Sequence, residues 1–443
     1  MKKGIEDNRI LIKNVNIITM NKDKEVIENG TLVIEGDEIK AVGGADLENK
    51  FQGYNIIDGE DGILMPGMIN CHCHGSMVPF RSLADDCKDR LKRYLFPLEN
   101  MLVNKELVYI GAKYAVAEML LGGVTTYCDM YYFEDEVAKA TSELNMRGIL
   151  CNSIINFQAP DAEEPFGGLD YSIEFIEKWK GHELITPGIA PHAPYTNSDE
   201  SLKMAYEISK KYEVPFTMHL AEMDFEFEKY KEELGLTPVE YVESLGILDS
   251  NFIAAHAVTL EEQDIDILKK HNVKVSHNIG ANAKGAKGVA PILKMREKGI
   301  DVGLGSDGPM SGNTMDIITQ MSLVGKIQKL YNNDRSLFPA VELVEMATMG
   351  GSKVLGLENK VGSIEVGKKA DITLIETKSV NMQPIYDYYS AVVYSANAGN
   401  VDTVIVNGKI VVRNKELVSG NFKEIRRELL KLKDKIEKVA GKL

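Results

Sequence analysis

Apolar residues fall in two textures along this chain. From residue 8 to 62 they form short runs, Ile10 to Ile18, Thr31 to Glu35 and Glu38 to Val42, broken by Asn29-Gly30 and Gly36-Asp37. Runs of that length bounded by Gly, Asn and Asp predict strands. The texture returns after about residue 360, with Ala370 to Ile375, Val401 to Val406 and Lys409 to Val412. The last two are joined by Asn407-Gly408, which supplies the positive φ angles of a two-residue hairpin turn and makes this the strongest hairpin signal in the chain. Between these β-rich ends, apolar strand-like runs alternate with helical stretches, which predicts repeated β-α units around a parallel sheet. The candidate strands are Leu64 to His74, Val124 to Met130, Gly148 to Ile155, Thr186 to His192, Pro215 to Leu220, Phe252 to Val258, Val273 to Asn278 and Asp301 to Asp307. Eight units over roughly 290 residues fit a closed (β/α)8 barrel better than an open sheet.

Helices are expected over Glu106 to Leu121, stopped by Gly122-Gly123, and over Ser198 to Tyr212, which opens on a cap-like start. From Phe422 onward, Ile425, Leu429, Leu432, Ile436 and Val439 recur at spacings of four and three, the pattern of an amphipathic helix. That stripe is expected to pack on this protein or on a neighbouring subunit.

Composition narrows the partners. The chain has 443 residues, 44% of them hydrophobic, enough for a large core in one big domain and a smaller one. Its 51 Lys and Arg against 66 Asp and Glu give a net charge of -15, which repels nucleic-acid backbones and anionic membranes and leaves a small molecule as the expected partner. The opening Met1-Lys2-Lys3-Gly4-Ile5-Glu6-Asp7 has no apolar segment behind it, and no stretch of about 18 apolar residues follows, so neither export nor membrane spanning is expected. The five cysteines, Cys71, Cys73, Cys87, Cys128 and Cys151, are odd in number and fit reduced thiols in a cytoplasmic protein.

Candidate chemistry begins at Cys71-His72-Cys73-His74. On a strand His72 and His74 face the same side, where one metal could take both; the alternative is a buried pair packing in a core. Cys71 and Cys73 then face the opposite side, towards outer helices. The ends of the later strands carry His192, His219, His256, His277 and Asp307, so six of the eight histidines stand at strand ends and only His182 and His271 do not. A closed barrel points all its strand ends at one mouth, where three histidines and an aspartate can converge on a metal. Such donors suit Zn²⁺, and Fe²⁺ tolerates them too. Glu222, three residues beyond His219, stands just above its strand end within reach of water or substrate; the acidic stretch after it leaves open a plain surface role. Asp307 ends a tight apolar strand, where an unpaired carboxylate is costly and a metal partner removes the cost.

At these residues the chain resembles the amidohydrolase superfamily, in the branch of 5-methylthioadenosine/S-adenosylhomocysteine deaminases and related chlorohydrolases. The resemblance spans nearly the whole chain and is carried by Pro66-Gly67-x-x-Asn70-x-His72-x-His74, Ala190-Pro191-His192-Ala193-Pro194-Tyr195, His219-Leu220-Ala221-Glu222, Ala255-His256-Ala257-Val258, Ser276-His277-Asn278 and Gly305-Ser306-Asp307-Gly308. It implies an α/β fold: a TIM-like metal-dependent hydrolase barrel over residues 63–360, with a small β-sandwich built from residues 1–62 and 361–443, the latter including the terminal helix. It implies one divalent metal, zinc foremost and iron second, held by His72, His74, His219 and Asp307. The lysine that bridges two metals in binuclear relatives has no counterpart in Thr186 to His192.

The implied reaction is hydrolytic deamination of an amino-substituted heteroaromatic ring, foremost an adenosine derivative or purine-like base. Pterins, guanine-like bases, pyrimidines and triazines with other leaving groups share the chemistry, whereas a noncatalytic relative would have lost ligands that this chain keeps. In the implied mechanism Glu222 moves a proton from water to the ring nitrogen, His256 orients the attacking oxygen, and Asp307 passes a proton to departing ammonia. His192 is expected to contact the substrate, and Glu99 aligns with a glutamate that binds ribose hydroxyls. The chain departs from the family pattern at Asn152 and near Gly167-Gly168-Leu169-Asp170, where carboxylate-binding arginines are missing. It departs again at Ile279 to Gly285, which replaces the usual Pro-x-Ser-Asn-x-Lys-Leu. A homo-oligomer, dimer or larger, is expected.

Overall fold

The computed structural model describes residues 8–162, 164 and 166–442; the reading of Met1 to Asp7 lies outside the described residues. Eight strands lie side by side in chain order: Met68–Cys73, Val124–Tyr131, Arg147–Ile154, Ile185–Pro191, Phe216–Leu220, Phe252–His256, Lys274–His277 and Val302–Leu304. They run parallel, with Cys151 opposite Gly188, His219 opposite Ala255, and Val275 opposite Val302. The last strand end meets the first. The Asp307 N–H donates to the His72 carbonyl at 3.1 Å and the Ser306 N–H to Asn70 Oδ1 at 3.0 Å. The Asn70 amide donates in turn to Ser306 Oγ at 2.8 Å. The expected eight-stranded barrel is therefore present and nearly closed. Its second and third strands are buried at every position, which is why they show no alternation of buried and exposed residues.

The chain ends build a separate eight-stranded mixed sheet. Its strand order is Glu416–Leu417, Lys409–Arg413, Val401–Val406, Ile372–Ile375, Asn55–Pro66, Arg9–Ile18, Val26–Glu35 and Glu38–Gly44. One buried cluster draws Ile10, Ile12, Leu32, Ile34, Ile39, Ile57, Leu64, Ile372, Leu374 and Ile405 from six of these strands, so the sheet encloses its own core. The hairpin at Asn407-Gly408 has both turn residues at positive φ, 51° and 74°.

By compactness the chain divides into Met1–Ile69, Glu118–Thr126 and Asp316–Gly420 as one unit, and Asn70–Ala117, Tyr127–Met315 and Asn421–Leu443 as the other. The terminal helix Phe422–Ala440 packs on the helix Phe96–Leu102 and the turn Gly75–Phe80 within the second unit. Phe422 stands 5.6 Å from Tyr114, and Ile425 and Ile436 are buried, as the apolar stripe requires. Among the described residues no helix is long and apolar enough to cross a membrane.

Three strands differ from expectation. The run Leu64 to His74 is two strands, because the backbone breaks at Gly67: its N–H goes to the Asp371 carbonyl, and a Cβ there would lie 2.1 Å from Thr125 Oγ1. Phe252–His256 stops short of Val258 because His256 and Ala257 adopt φ of 76° and 48°. Val302–Leu304 stops short of Asp307, whose φ is 59°. Left-handed backbone at non-glycine residues is uncommon, and here it falls on residues with candidate chemistry.

Candidate metal and catalytic site

Strand alternation puts the His72 and His74 rings on one side, 4.8 Å apart, with His219 at 4.9 and 5.2 Å from them. Carbonyl oxygens orient two of the rings. Met130 O lies 2.6 Å from His74 Nδ1, and His192 O lies 2.6 Å from His219 Nδ1. An Nδ1–H donated to a carbonyl leaves Nε2 free to ligate. The two Nε2 atoms face each other at 3.2 Å, and His74 Nε2 is 3.4 Å from Asp307 Oδ1. His72 is fully buried, yet neither of its ring nitrogens has a hydrogen-bond partner. Facing lone pairs and an unpartnered buried imidazole are unfavourable unless a cation sits among them. Burial lowers the proton affinity of His74, but the hydrogen bond and charge of Asp307 outweigh it and push this histidine up to about 9, so positive charge is favoured here. The donor atoms of His72, His74 and Asp307 lie within 4.8 Å of one another, as do those of His72, His219 and His256. These residues fit a divalent metal.

Beside them stands a second cluster. The Ala221 and Glu222 N–H groups donate to the two oxygens of Glu226 at 3.2 and 2.9 Å, which fixes the turn that presents Glu222. Burial pushes Glu226 up to about 8 against those bonds. Glu222 Oε1 lies 3.6 Å from His256 Nε2 and accepts a hydrogen bond from Lys287 Nζ. Asp307 Oδ2 is 3.9 Å from both His256 Nε2 and Lys287 Nζ. His256 Nδ1 lies 2.8 Å from Asn282 Oδ1, so Nδ1 carries the hydrogen and Nε2 is left to accept. Burial opposes ionisation of Glu222, yet His256 when protonated and the Lys287 ammonium hold it well below the usual carboxylate range. Burial likewise opposes ionisation of Asp307, and the His74 hydrogen bond and Lys287 charge outweigh it. A buried carboxylate held ionised beside a metal site is equipped to take a proton from water.

A cavity of about 660 Å³ opens on these groups, lined also by Glu99, Tyr131, His192, Tyr195 and Phe96. Glu99 accepts from Tyr131 OH at 2.8 Å; burial raises it to about 7 although that bond opposes the rise. His192 lies 4.7 Å from His219 and bonds Thr196 through Nδ1, and burial lowers it to about 4. At the rim Asp85 accepts from Arg90, Lys284 and Asn313 at 3.2, 2.8 and 2.7 Å, joining the segment after the first strand to those after the seventh and eighth.

The structure thus brings together His72, His74, His192, His219, Glu222, His256, Asp307 and Glu99. His277 does not line the cavity; it is buried near enough to His256 for their charges to interact, with both of its ring nitrogens unpartnered. Cys73 turns away from the site and donates to Asp129 Oδ1 at 3.2 Å, and burial raises its thiol and that of Cys71. Asn152 donates to Ser153 O and does not line the cavity. Sequence reasoning missed Glu226, Lys287, Tyr131 and Asn282. Glu226 had a signal, since it follows Glu222 by four residues in the first turn of Asp224–Leu234. Lys287, in an irregular loop, had none.

Comparison with known proteins adds the lineage. Residues 63–411 match the Amidohydrolase family. The chain is 37% identical to 5-methylthioadenosine/S-adenosylhomocysteine deaminase 1 of Syntrophus aciditrophicus over 96% of this chain and 97% of that protein. It is 39% identical to the 5-methylthioadenosine/S-adenosylhomocysteine deaminase of Caldanaerobacter subterraneus over 95% and 97%. Among solved structures, an adenosine deaminase from Xanthomonas campestris with bound zinc superposes with a TM-score of 0.95 at 27% identity, covering 97% of this chain and 98% of that one. The chain therefore belongs to the amidohydrolase family.

Proposed function

We propose that this protein is a metal-dependent hydrolytic deaminase of an amino-substituted heteroaromatic ring, of the adenosine-derivative or purine-like class. The observation that carries the reading is the juxtaposition of two clusters at one cavity. The donor atoms of His72, His74 and Asp307 lie within 4.8 Å of one another, His219 Nε2 stands 3.2 Å from His74 Nε2, and Glu222 and His256 meet 3.6 Å apart beside them. Relatives named for deamination of 5-methylthioadenosine and S-adenosylhomocysteine, and a zinc-bound adenosine deaminase of the same fold, support the substrate class and zinc as the ion.

A divalent metal in this site supplies Lewis acidity that makes a water nucleophile available at neutral pH. Glu222, already ionised, takes one proton from that water, and His256 Nε2 accepts a hydrogen bond from its oxygen and aims it at the ring carbon bearing the amino group. As the carbon–oxygen bond forms, Glu222 delivers its proton to the adjacent ring nitrogen. Asp307 then passes the second water proton to the amino group, the carbon–nitrogen bond breaks, and ammonia leaves. His192 bounds the ring, and Glu99, ionised or protonated, offers oxygens to ribose hydroxyls.

Ammonia release from 5-methylthioadenosine, S-adenosylhomocysteine, adenosine and a set of pterins, pyrimidines and chlorotriazines tests this reading. Deamination of adenosine derivatives is expected, with Glu222→Gln lowering kcat by about 10² to 10⁴-fold at unchanged metal content. Chloride release from triazines without ammonia release from any purine overturns it.

A further inference from the structure

Lys287 belongs to no motif that the sequence points to, yet it occupies the centre of the proton-transfer cluster. It follows the helix Ile279–Lys284, and its N–H is fixed on the Asn282 carbonyl at 2.9 Å. Its side chain is 12% exposed, unusual for a lysine, and its ammonium bonds Glu222 Oε1. Asp307 Oδ2, at 3.9 Å, lies beyond hydrogen-bond distance. Among the described residues the other cations on the cavity wall are Lys88, Arg90 and Lys284, of which the last two are tied to Asp85. The Lys287 ammonium carries three hydrogens and accepts none. Glu222 takes one, and the cavity lies before the rest.

Substrate geometry gives those hydrogens a use. On the deaminase reading, on which this inference rests, Glu222 works at the ring nitrogen next to the reacting carbon. The next ring atom beyond that nitrogen then lies beside Glu222, and of the groups around Glu222 it is Lys287, on the cavity wall and bonded to Oε1, that its substituent can reach. A C–H at that place leaves an ammonium hydrogen unmet, whereas an oxo oxygen receives it. We propose that Lys287 is a specificity-determining residue that donates a hydrogen bond to the substrate ring, favouring aminoheterocycles with an oxo group on the carbon flanking that nitrogen, as in cytosine and isoguanine.

Adenosine and isoguanosine form a close pair, differing in this oxo group and in the ring hydrogen that its keto form carries. The zinc-loaded protein and its Lys287→Met and Lys287→Arg variants are assayed with both, by kcat/KM where ammonia is released and by equilibrium dialysis where a probe binds without turnover. Loss of the donor is expected to lower the isoguanosine-to-adenosine preference by about tenfold or more, chiefly through KM, and arginine to restore part of it. Equal losses on both probes overturn the inference and assign Lys287 to holding Glu222 alone. A preference unmoved by either variant, or no binding of isoguanosine at all, overturns it too. If isoguanosine binding weakens in Lys287→Met while no probe releases ammonia, the contact stands and the deaminase reading falls.

Discussion

The turn that presents Glu222, the proposed base, depends on a neighbour. Both oxygens of Glu226 accept backbone N–H groups, from Ala221 and from Glu222 itself, so Glu226→Ala frees the turn that aims the base. That variant is expected to lose about tenfold or more in kcat with its metal content intact, checked by steady-state kinetics beside metal analysis. Glu99 offers a pH test. Its proton affinity is raised from 4.5 to about 7 by burial, with the Tyr131 hydrogen bond opposing. The folded state therefore holds this proton more tightly than the unfolded chain, so the contribution is full below pH 4.5 and is lost as pH rises through about 7. Relative to Glu99→Gln, the native protein is expected to lose stability across that window, at up to about 1.4 kcal/mol per pH unit, and to run parallel above it. Denaturant titrations of both proteins between pH 5 and 8 read the difference; parallel profiles throughout contradict it. At this scale the histidines were legible because strand alternation and strand ends are local properties of the sequence. Lys287 was not, since its reach to Glu222 depends on an irregular loop with no period to read.

Elements set the positions that single residues exploit. The ends of Phe252–His256 and Val302–Leu304 turn sharply at His256 and Asp307, and the two side chains meet there with His256 Nε2 3.9 Å from Asp307 Oδ2. No sequence pattern announces it, because positive φ at His or Asp is enforced by surrounding packing rather than by local preference. The break at Gly67 was hidden in the same way, inside an unbroken apolar run. Gly305 shows how tight the eighth strand end is. A Cβ there would lie 2.1 Å from Asn278 Oδ1, 2.5 Å from Ser276 Oγ and 3.0 Å from the His72 carbonyl. Gly305→Ala is expected to destabilise the protein by about 3 kcal/mol and to weaken metal uptake, read by thermal denaturation and metal analysis. Wild-type melting temperature and metal content in that variant contradict the account of this strand end.

For the molecule as a whole, the barrel brings together groups as far apart in sequence as His72 and Asp307, and the eight alternating units made that closure readable before any contact was known. The mixed sheet of the chain ends was equally readable, through short runs and the Asn407-Gly408 turn. By compactness Glu118–Thr126 and Asp316–Gly420 group with the terminal strands, through packing that leaves no mark in hydrophobic period. An ion bound only by the folded site stabilises it by mass action, by about 3 kcal/mol when free metal is near 100-fold above its dissociation constant. Chelation is therefore expected to lower the melting temperature, and zinc to restore it. The most direct test joins metal to chemistry: ammonia release from 5-methylthioadenosine and S-adenosylhomocysteine by protein holding one equivalent of zinc, beside the chelated protein. The account predicts turnover that disappears on chelation and returns with zinc; release that continues unchanged in the chelated protein would contradict it.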